Sequence, residues 1–247
     1  MLFALSIAGL HDTPGPWRGG PRGPIEWAAS AGYRAIVLDA AAPGVRAREL
    51  GRSARRDLAS TLRRCGLDLV GLDLWIPPEH FESSATADRA ASALLDAIGL
   101  AADLAALAPA VGTGRVVVSI SLPDDPPAVL IDAAAAAADA GGVLVEDYAA
   151  DPPAAGGLIR PGFDTARCIM GGGKPGKPFA KIAADLATLR LNDADDTGRR
   201  PLGDGRLDVD MMRALHATLT PTIPVVTDLR GLRDPETGAA LRVWEAG

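Results

Sequence analysis

Several acidic and basic residues in this sequence directly follow short apolar runs, which places them at the ends of predicted strands. Glu146, Asp164 and Asp228 are the carboxylates of this group, and Arg167 and Arg190 are cations in similar positions. A carboxylate can act as a general acid or base, and an arginine can bind an anion or stabilise negative charge that develops during a reaction. The set indicates proton-transfer chemistry on an anionic molecule, with Glu146 and Asp164 as the predicted catalytic residues.

Three more polar residues, His80, Asp193 and Arg230, lie just behind predicted strands. They are candidate substrate-binding residues, together with the two arginines above and Asp228. Loop residues are exposed as a rule, so simple solvation explains His80 equally well. Trp75 could stack on a sugar ring, but a tryptophan at a strand end packs against the fold at least as often.

All three lysines of the chain fall between positions 174 and 181, in or beside the glycine-rich segment Gly171–Lys177. The spacing of this segment matches GxxxxGK, the phosphate-binding loop of many nucleotide enzymes. Pro178 stands where that loop needs a serine or threonine for magnesium, so we predict an ordinary flexible loop. Lys174 and Lys177 are candidate binding residues because they are predicted on the side of the fold where anionic substrates enter.

Strand-like runs alternate with helix-like segments along the whole chain, and this alternation positions the candidate residues. Predicted strands cover residues 3–8, 33–39, 67–76, 115–122, 143–146, 157–163, 187–191 and 223–229. Predicted helices cover residues 25–31, 46–65, 86–107, 126–140, 179–186, 208–219 and 236–245. Eight strands separated by helices or helix-sized gaps favour a closed (β/α)8 TIM barrel, whose functional site lies at the carboxyl ends of the strands.

This barrel is predicted to be a single domain over residues 1–247, because no linker or change of composition divides the chain. The segment Ala149–Gly156 is too short and too rich in proline and glycine for a helix. The helix between strands five and six is therefore predicted to be missing or very short. No GxGxxG motif follows the first strand, which argues against a dinucleotide-binding sheet.

Charge and composition argue against several classes of partner. The 247 residues include 25 Lys+Arg and 31 Asp+Glu, a net charge of −6, so nucleic acid is not an expected partner. We see no uninterrupted apolar stretch long enough for a membrane span and no signal peptide before the first strand. Cys65 and Cys168 form neither a metal-binding nor a disulfide pattern, so we expect a cytoplasmic protein. The oligomeric state is left open.

The sequence resembles the xylose isomerase-like TIM barrels, a family that includes sugar phosphate isomerases, ketose epimerases and apurinic endonucleases. In Glu26–Asp39, a helix end rich in Ala and Gly precedes a strand that finishes in an acid. Leu189–Asp193 followed by Gly203–Asp208 is similar to the family's vHlkD and GxGxiD segments, and Val225–Asp228 is similar to its last strand. The resemblance covers nearly the whole chain and implies action on a sugar or sugar phosphate.

Members of that family hold a divalent metal such as Mn, Mg or Zn on a Glu of strand five, an Asp of strand six, a His of strand seven and a Glu of strand eight. By resemblance, Glu146 and Asp164 match the first two positions, whereas Arg190 and Asp228 replace the last two and Arg167 replaces a substrate-side histidine. A guanidinium has no lone pair for a metal. The ligand set is therefore incomplete, and we expect neither a metal nor another cofactor.

Two functions fit these residues. The first is a sugar or sugar-phosphate isomerase or epimerase with a degenerate metal site, in which Glu146 is the general base and Arg167 or Arg190 stabilises enolate-like charge. The alternative is a non-catalytic barrel that binds a small anionic sugar or carboxylate ligand. The two functions differ in whether a site with Arg190 on strand seven and Asp228 on strand eight can still catalyse a reaction. Apurinic endonuclease activity conflicts with the acidic charge and with only three histidines for a multi-zinc site.

Overall fold

The structure is a computed structural model of the chain that describes residues 2–10, 15, 20–108, 114–148, 157–219, 223–232 and 238–246. Its strands are β1 (Phe3–Ser6), β2 (Ala35–Asp39), β3 (Asp68–Asp73), β4 (Val117–Ile120), β5 (Leu144–Asp147), β6 (Ile159–Pro161), β7 (Phe163–Asp164), β8 (Leu189–Arg190), β9 (Asp193–Asp195), β10 (Gly198–Arg200) and β11 (Val225–Asp228). Its α-helices are α1 (Arg22–Ser30), α2 (Arg52–Cys65), α3 (Glu79–Glu82), α4 (Ala87–Leu107), α5 (Ala128–Gly141), α6 (Thr165–Met170), α7 (Gly176–Ile182), α8 (Val209–Ala217) and α9 (Gly238–Glu245).

Nine of these strands form one parallel sheet in the order β6-β5-β4-β3-β2-β1-β11-β8-β7. The two ends of this order, β6 and β7, are consecutive in the chain and are separated only by Gly162. Because β6 pairs with β5 and β7 pairs with β8, the two together act as the sixth strand of a barrel. The sheet thereby curves into a nearly closed barrel with helices around it, and the predicted (β/α)8 fold is confirmed.

The change of partner in strand six depends on Gly162. A Cβ atom at this position would lie 2.7 Å from Cδ1 of Tyr148 and 3.0 Å from the carbonyl oxygen of Asp147. The amide of Gly162 donates a hydrogen bond of 2.6 Å to that same carbonyl. Only glycine therefore allows strand six to pass this close to β5.

The interior of the barrel changes from apolar to polar along the strands. Ala4 and Val226 belong to a small apolar cluster that is separate from the main core. Two residues further along the same strands lie Ser6 and Asp228, and both are buried. Because alternate residues of a strand share a face, this pattern places a polar layer inside the mouth of the barrel.

The structure corrects several predicted element boundaries. Helix α2 begins at Arg52 and not at position 46, because Leu50 and Gly51 have extended backbone and leave only a 3₁₀ turn at Ala47–Glu49 before it. The helix predicted at 179–186 begins earlier, at Gly176. The short helices α3 and α6 and the β9–β10 hairpin were not predicted.

Two predictions fall on residues outside the described part of the chain. These are the missing or very short helix at 149–156 and the start of the closing helix at position 236. The assignment of residues 1–247 to a single domain also stays a prediction, although every described strand except β9 and β10 belongs to one sheet.

Helix α4 is long and apolar enough to cross a membrane, by length and composition alone. Its apolar sequence is interrupted by Asp96 and Asp103, and its residues Leu94, Ile98 and Leu104 are buried against the rest of the fold. Buried helices of globular proteins share this composition. We therefore describe α4 as an outer helix of the barrel.

Candidate functional site

A cavity of about 850 Å³ lies at the mouth of the barrel, over the carboxyl ends of the strands. Residues from several strand ends and from the loops after them line this cavity, among them Asp39, Trp75, Tyr148, Asp164, Arg167, Met170, Arg190, Arg199 and Arg230. In a TIM barrel this end of the sheet is the usual place of the functional site. The lining contains four guanidinium groups and two carboxylates, and two further carboxylates behind it, Asp73 and Asp228, pair with three of the arginines.

Arg190 lies at the floor of the cavity and forms a two-pronged contact with Asp73 of β3. Its Nη1 donates to Oδ2 of Asp73 at 3.0 Å, and its Nη2 donates to Oδ1 of the same carboxylate. The hydroxyl of Ser6 also donates to Asp73, and the ring of Tyr148 covers the guanidinium at 4.3 Å. Arg190 is only 1% exposed, so the fork replaces water as the partner of both charges. Neither Asp73 nor Tyr148 was predicted from the sequence as a site residue.

Asp228, at the end of β11, is surrounded by three arginines. Nη1 of Arg199 donates to its Oδ1 at 2.7 Å, Nη2 of Arg230 donates to its Oδ2 at 3.0 Å, and Nη1 of Arg190 lies 3.8 Å from that second oxygen. Burial alone would raise the pKa of Asp228, but the attraction of Arg230 and Arg199 outweighs burial and holds the pKa well below its usual range. Asp228 is therefore ionised throughout the physiological pH range.

Asp164 faces the cavity and caps the amino end of α6. Its Oδ1 accepts from the amides of Ala166 at 2.9 Å and Arg167 at 3.4 Å, and its Oδ2 accepts from Nδ2 of Asn192 at 3.1 Å. Burial raises the pKa of this carboxyl, while the nearby charge of Arg199 opposes the rise. Asp164 thus combines a place in the cavity wall with an increased tendency to hold a proton.

Glu146 has a different position from the one the sequence suggested. It is fully buried and does not belong to the described residues that line the cavity. Its Oε1 accepts from the hydroxyl and the amide of Thr188 at 2.6 and 3.2 Å, and its Oε2 accepts from the hydroxyl of Ser119 at 2.9 Å. Burial raises the pKa of Glu146 to about 7, against the opposing charge of Arg190. Glu146 is thus a buried, hydrogen-bonded acid outside the described cavity lining.

Asp193 has a role in positioning the chain. Its carboxylate accepts hydrogen bonds from the amides of Gly203 and Gly205 at 3.0 Å each and from the amide of Leu207 at 2.9 Å. It is buried and lies outside the set of described residues that line the cavity. Asp193 therefore holds the turn that follows the β9–β10 hairpin.

The structure brings together some of the predicted binding residues and leaves others apart. Arg167, Arg190 and Arg230 line the cavity, and Arg167 also donates to the carbonyl of Tyr148. His80 is exposed on the short helix α3, and Lys174 and Lys177 are exposed beside or within α7. These last three are outside the described cavity lining, so their binding roles stay predictions.

Arg199 is the functional candidate that the sequence analysis missed most clearly. It lies on β10, in the antiparallel hairpin that β9 and β10 form apart from the barrel sheet. From there it reaches both the carboxylate and the carbonyl of Asp228, with the second contact at 3.3 Å. Arg199 does not follow a predicted strand and belongs to no motif. The only signal in the sequence is the pair of adjacent arginines Arg199 and Arg200.

No known protein family matches the sequence, and no curated protein is similar to it in sequence. Solved structures are similar in fold. A D-psicose 3-epimerase determined in the presence of D-fructose has a TM-score of 0.68 and 13% identity, over 99% of this chain and 90% of its own. A xylose isomerase-like TIM barrel protein from Mycobacterium smegmatis in complex with magnesium has a TM-score of 0.66 and 13% identity, over 98% of this chain and 94% of its own.

A xylose isomerase domain protein from Planctomyces limnophilus is also similar, with a TM-score of 0.65 and 12% identity over 92% of this chain and 87% of its own. The chain has the fold of the xylose isomerase-like TIM barrels. At 12 to 13% identity these structures establish the shared fold of this barrel and carry no residue roles over to it.

Proposed function

We propose that this xylose isomerase-like barrel binds a small anionic ligand, such as a sugar phosphate, a sugar acid or another carboxylate, at its mouth, and that it does so without a metal ion. The observation that carries the proposal is the position of Arg190. Its Nη1 lies 3.0 Å from Oδ2 of Asp73 and 3.8 Å from Oδ2 of Asp228. A permanent cation with no lone pair thus occupies the strand-seven position and lies beside Asp228, the residue at the strand-eight position.

The carboxylates of the mouth do not fit a divalent metal. Both oxygens of Asp228 accept from arginines, those of Asp164 accept from backbone amides and Asn192, and those of Glu146 accept from Ser119 and Thr188. In the described part of the chain, no three His, Cys, Asp or Glu side chains are grouped as a metal site requires. This arrangement supports a degenerate metal site, as the resemblance to the family implied.

The charge of the cavity wall supports an anionic ligand. Arg167, Arg190, Arg199 and Arg230 line it, and arginines recognise carboxylate and phosphate groups with paired hydrogen bonds. Asp73 and Asp228, which lie behind the lining, hold three of these guanidinium groups in place. The similar epimerase was solved with D-fructose, a neutral sugar, so a phosphorylated or oxidised sugar is one candidate for the anion. Both cysteines are free, in keeping with the proposed cytoplasmic location.

The proposal is tested by measuring the Tm of the purified chain with fructose 6-phosphate, gluconate, benzoate and inorganic phosphate, each with and without EDTA. We expect at least one organic anion to raise the Tm equally in both conditions, because ligands selective for the folded state stabilise it. Arg230→Met should abolish the increase. Arg206→Met, which breaks an exposed ion pair with Asp196 away from the cavity, is the matched control. Binding that requires added metal, or no response to any anion, would contradict the proposal.

A second candidate is metal-independent isomerisation or epimerisation with Asp164 as the acid–base group. Its raised pKa and its place in the cavity wall favour this role, whereas Glu146 lies outside the described lining. Proton abstraction beside a carbonyl would exchange substrate hydrogen for deuterium in D₂O, which NMR detects. Exchange that disappears in Asp164→Asn would identify an enzyme; ligand binding without exchange would identify a binding protein.

A further inference from the structure

The lining of the cavity also carries information about the shape and polarity of the ligand. Resting on the proposed function, we infer that the ligand is a carboxylic acid attached to a flat ring, aromatic or unsaturated, and not a hydroxyl-rich sugar. Two independent features support this inference: the balance of hydrogen-bond donors and acceptors, and the positions of exposed apolar side chains.

The cavity wall is rich in donors and poor in acceptors. Four side chains of the lining have a buried donor group with no partner in the described part of the chain: Nε of Arg190, Arg199 and Arg230, and the hydroxyl of Tyr148. These buried atoms have almost no surface open to the cavity, so a ligand would meet the other N–H groups of the same arginines. Four guanidinium groups against two carboxylates still make the lining richer in donors than in acceptors.

The two carboxylates of the lining already accept hydrogen bonds from the protein. Asp39 accepts from the amides of Gly9 at 3.0 Å and Ala41 at 2.9 Å, and both oxygens of Asp164 are also engaged. A sugar presents several hydroxyl groups that each need an acceptor as well as a donor. A carboxylate has acceptors only, so it matches this wall better.

Exposed apolar side chains are concentrated at the same cavity. Among the described residues, three large hydrophobic side chains are exposed, and two of them, Trp75 at 62% and Met170 at 51%, line the cavity. Apolar groups exposed in a concave site mark contact with a ligand. A flat indole and a flexible thioether together suit the face of a planar ring.

Arg230 connects the two features. Its guanidinium lies 5.2 Å from the ring centroid of Trp75, and within the described structure its side chain donates only through Nη2, to Asp228. The Arg230 side chain is 28% exposed, so its remaining Nη N–H groups, unlike the buried Nε, are open to a second carboxylate. The anion-binding group therefore lies beside the apolar surface, as a carboxylate attached directly to a ring requires.

Isothermal titration of the full chain with benzoate, acetate, gluconate and fructose 6-phosphate tests the inference. We expect benzoate to bind at least about tenfold more tightly than acetate and more tightly than either sugar derivative. Trp75→Leu should weaken benzoate by about tenfold or more and leave acetate within about twofold. Val129→Ala, at an exposed apolar residue outside the described cavity lining, is the control and should change neither.

The outcomes separate this inference from the proposed function. If gluconate or fructose 6-phosphate binds more tightly than benzoate, or if Trp75→Leu leaves benzoate unaffected, the ring inference is overturned while anion binding stands. If none of the four anions binds, the proposed function fails as well. Met170→Ser, expected to weaken benzoate by a smaller factor, provides the same test should Trp75→Leu fail to fold.

Discussion

Two buried carboxylates in one barrel interior have opposite surroundings. Glu146 is held by the hydroxyls of Ser119 and Thr188, and burial raises its pKa to about 7. Asp228 is equally buried, but Arg199 and Arg230 hold its pKa well below the usual range. Neutral hydroxyl partners do not offset the cost of burying a charged carboxylate, so the carboxyl tends to bind a proton. Guanidinium partners offset that cost, so the carboxylate stays charged.

This difference separates two tasks within the molecule. The arginine-rich group around Asp228 faces the cavity and keeps its charges, as anion binding requires. The acid that can change protonation near neutral pH, Glu146, lies outside the described lining of that cavity. The acid whose pKa is raised to about 7 therefore lies outside the lining that would bind an anion, which leaves Asp164 as the carboxyl of raised pKa in the cavity wall.

Arg190→Met is expected to have the largest effect. It removes the fork on Asp73 and leaves a buried carboxylate with the Ser6 hydroxyl as its remaining side-chain partner in the described structure. Loss of one partner of a buried ion pair costs about 3–5 kcal/mol, which urea denaturation measures. Arg206→Met, at an exposed pair, should cost less than about 1 kcal/mol. An equal decrease in the free energy of unfolding in the two variants would mean that the buried Arg190–Asp73 pair stabilises the fold no more than an exposed ion pair.

Glu146→Gln is expected to change the pH dependence of stability. Folding raises the pKa of this group from 4.5 to about 7, so between these values the folded state binds more protons than the unfolded state. The stabilising contribution is present below about pH 4.5 and is lost as pH rises towards 7, a fall in the free energy of unfolding of about 3 kcal/mol. The variant should lack this fall, whereas Glu79→Gln, at an exposed residue, should retain it. Identical pH profiles for all three proteins would refute the assignment.

Arg199→Met should have a moderate effect on both stability and protonation. The variant removes a hydrogen-bonded partner of Asp228, and the lost Arg199 side chain is only 15% exposed. We expect the free energy of unfolding to fall by about 2 kcal/mol. The charge of Arg199 also opposes the raised pKa of Asp164, so its loss should raise that pKa further. Carboxyl carbon NMR over a pH titration measures the shift. Arg199→Lys keeps the positive charge, so the pKa of Asp164 in that variant should stay close to its value in the unaltered protein. An unchanged pKa of Asp164 in Arg199→Met would contradict the proposed coupling.

Divalent metals should have the smallest effect. Because Arg190 lies between the carboxylates, Mn²⁺, Mg²⁺ or Zn²⁺ should neither raise the Tm nor copurify in stoichiometric amount. Elemental analysis and thermal denaturation before and after metal addition test this. A tightly held ion in equal ratio to the protein would overturn the account of the arginine-rich group.

The sequence was sufficient to predict the fold because apolar runs and helix-forming segments alternate regularly along it. It also marked Arg190, Asp228, Asp164 and Arg230, since the ends of predicted strands in a barrel converge. The partner of Arg190 was hidden, because Asp73 lies 117 residues away and falls inside a predicted strand that extended three residues too far.

Two other features depended on geometry that no local pattern encodes. The depth of Glu146 follows from the stagger of the strands, which places it opposite Ser119 in the register and next to Thr188. Arg199 reaches the site from a hairpin outside the barrel sheet, so its direction is set by tertiary contacts such as the one with Asp228. Short inserted hairpins lack the periodicity that reveals longer elements.

The glycine in the sixth strand has a consequence beyond letting the sheet close. The atom nearest to a side chain added at position 162 belongs to Tyr148, and the ring of Tyr148 covers the guanidinium of Arg190. A larger residue at position 162 would therefore press on the ring that covers Arg190. A substitution at Gly162, where strand six changes its pairing partner, would therefore also change the surroundings of the arginine at the cavity floor.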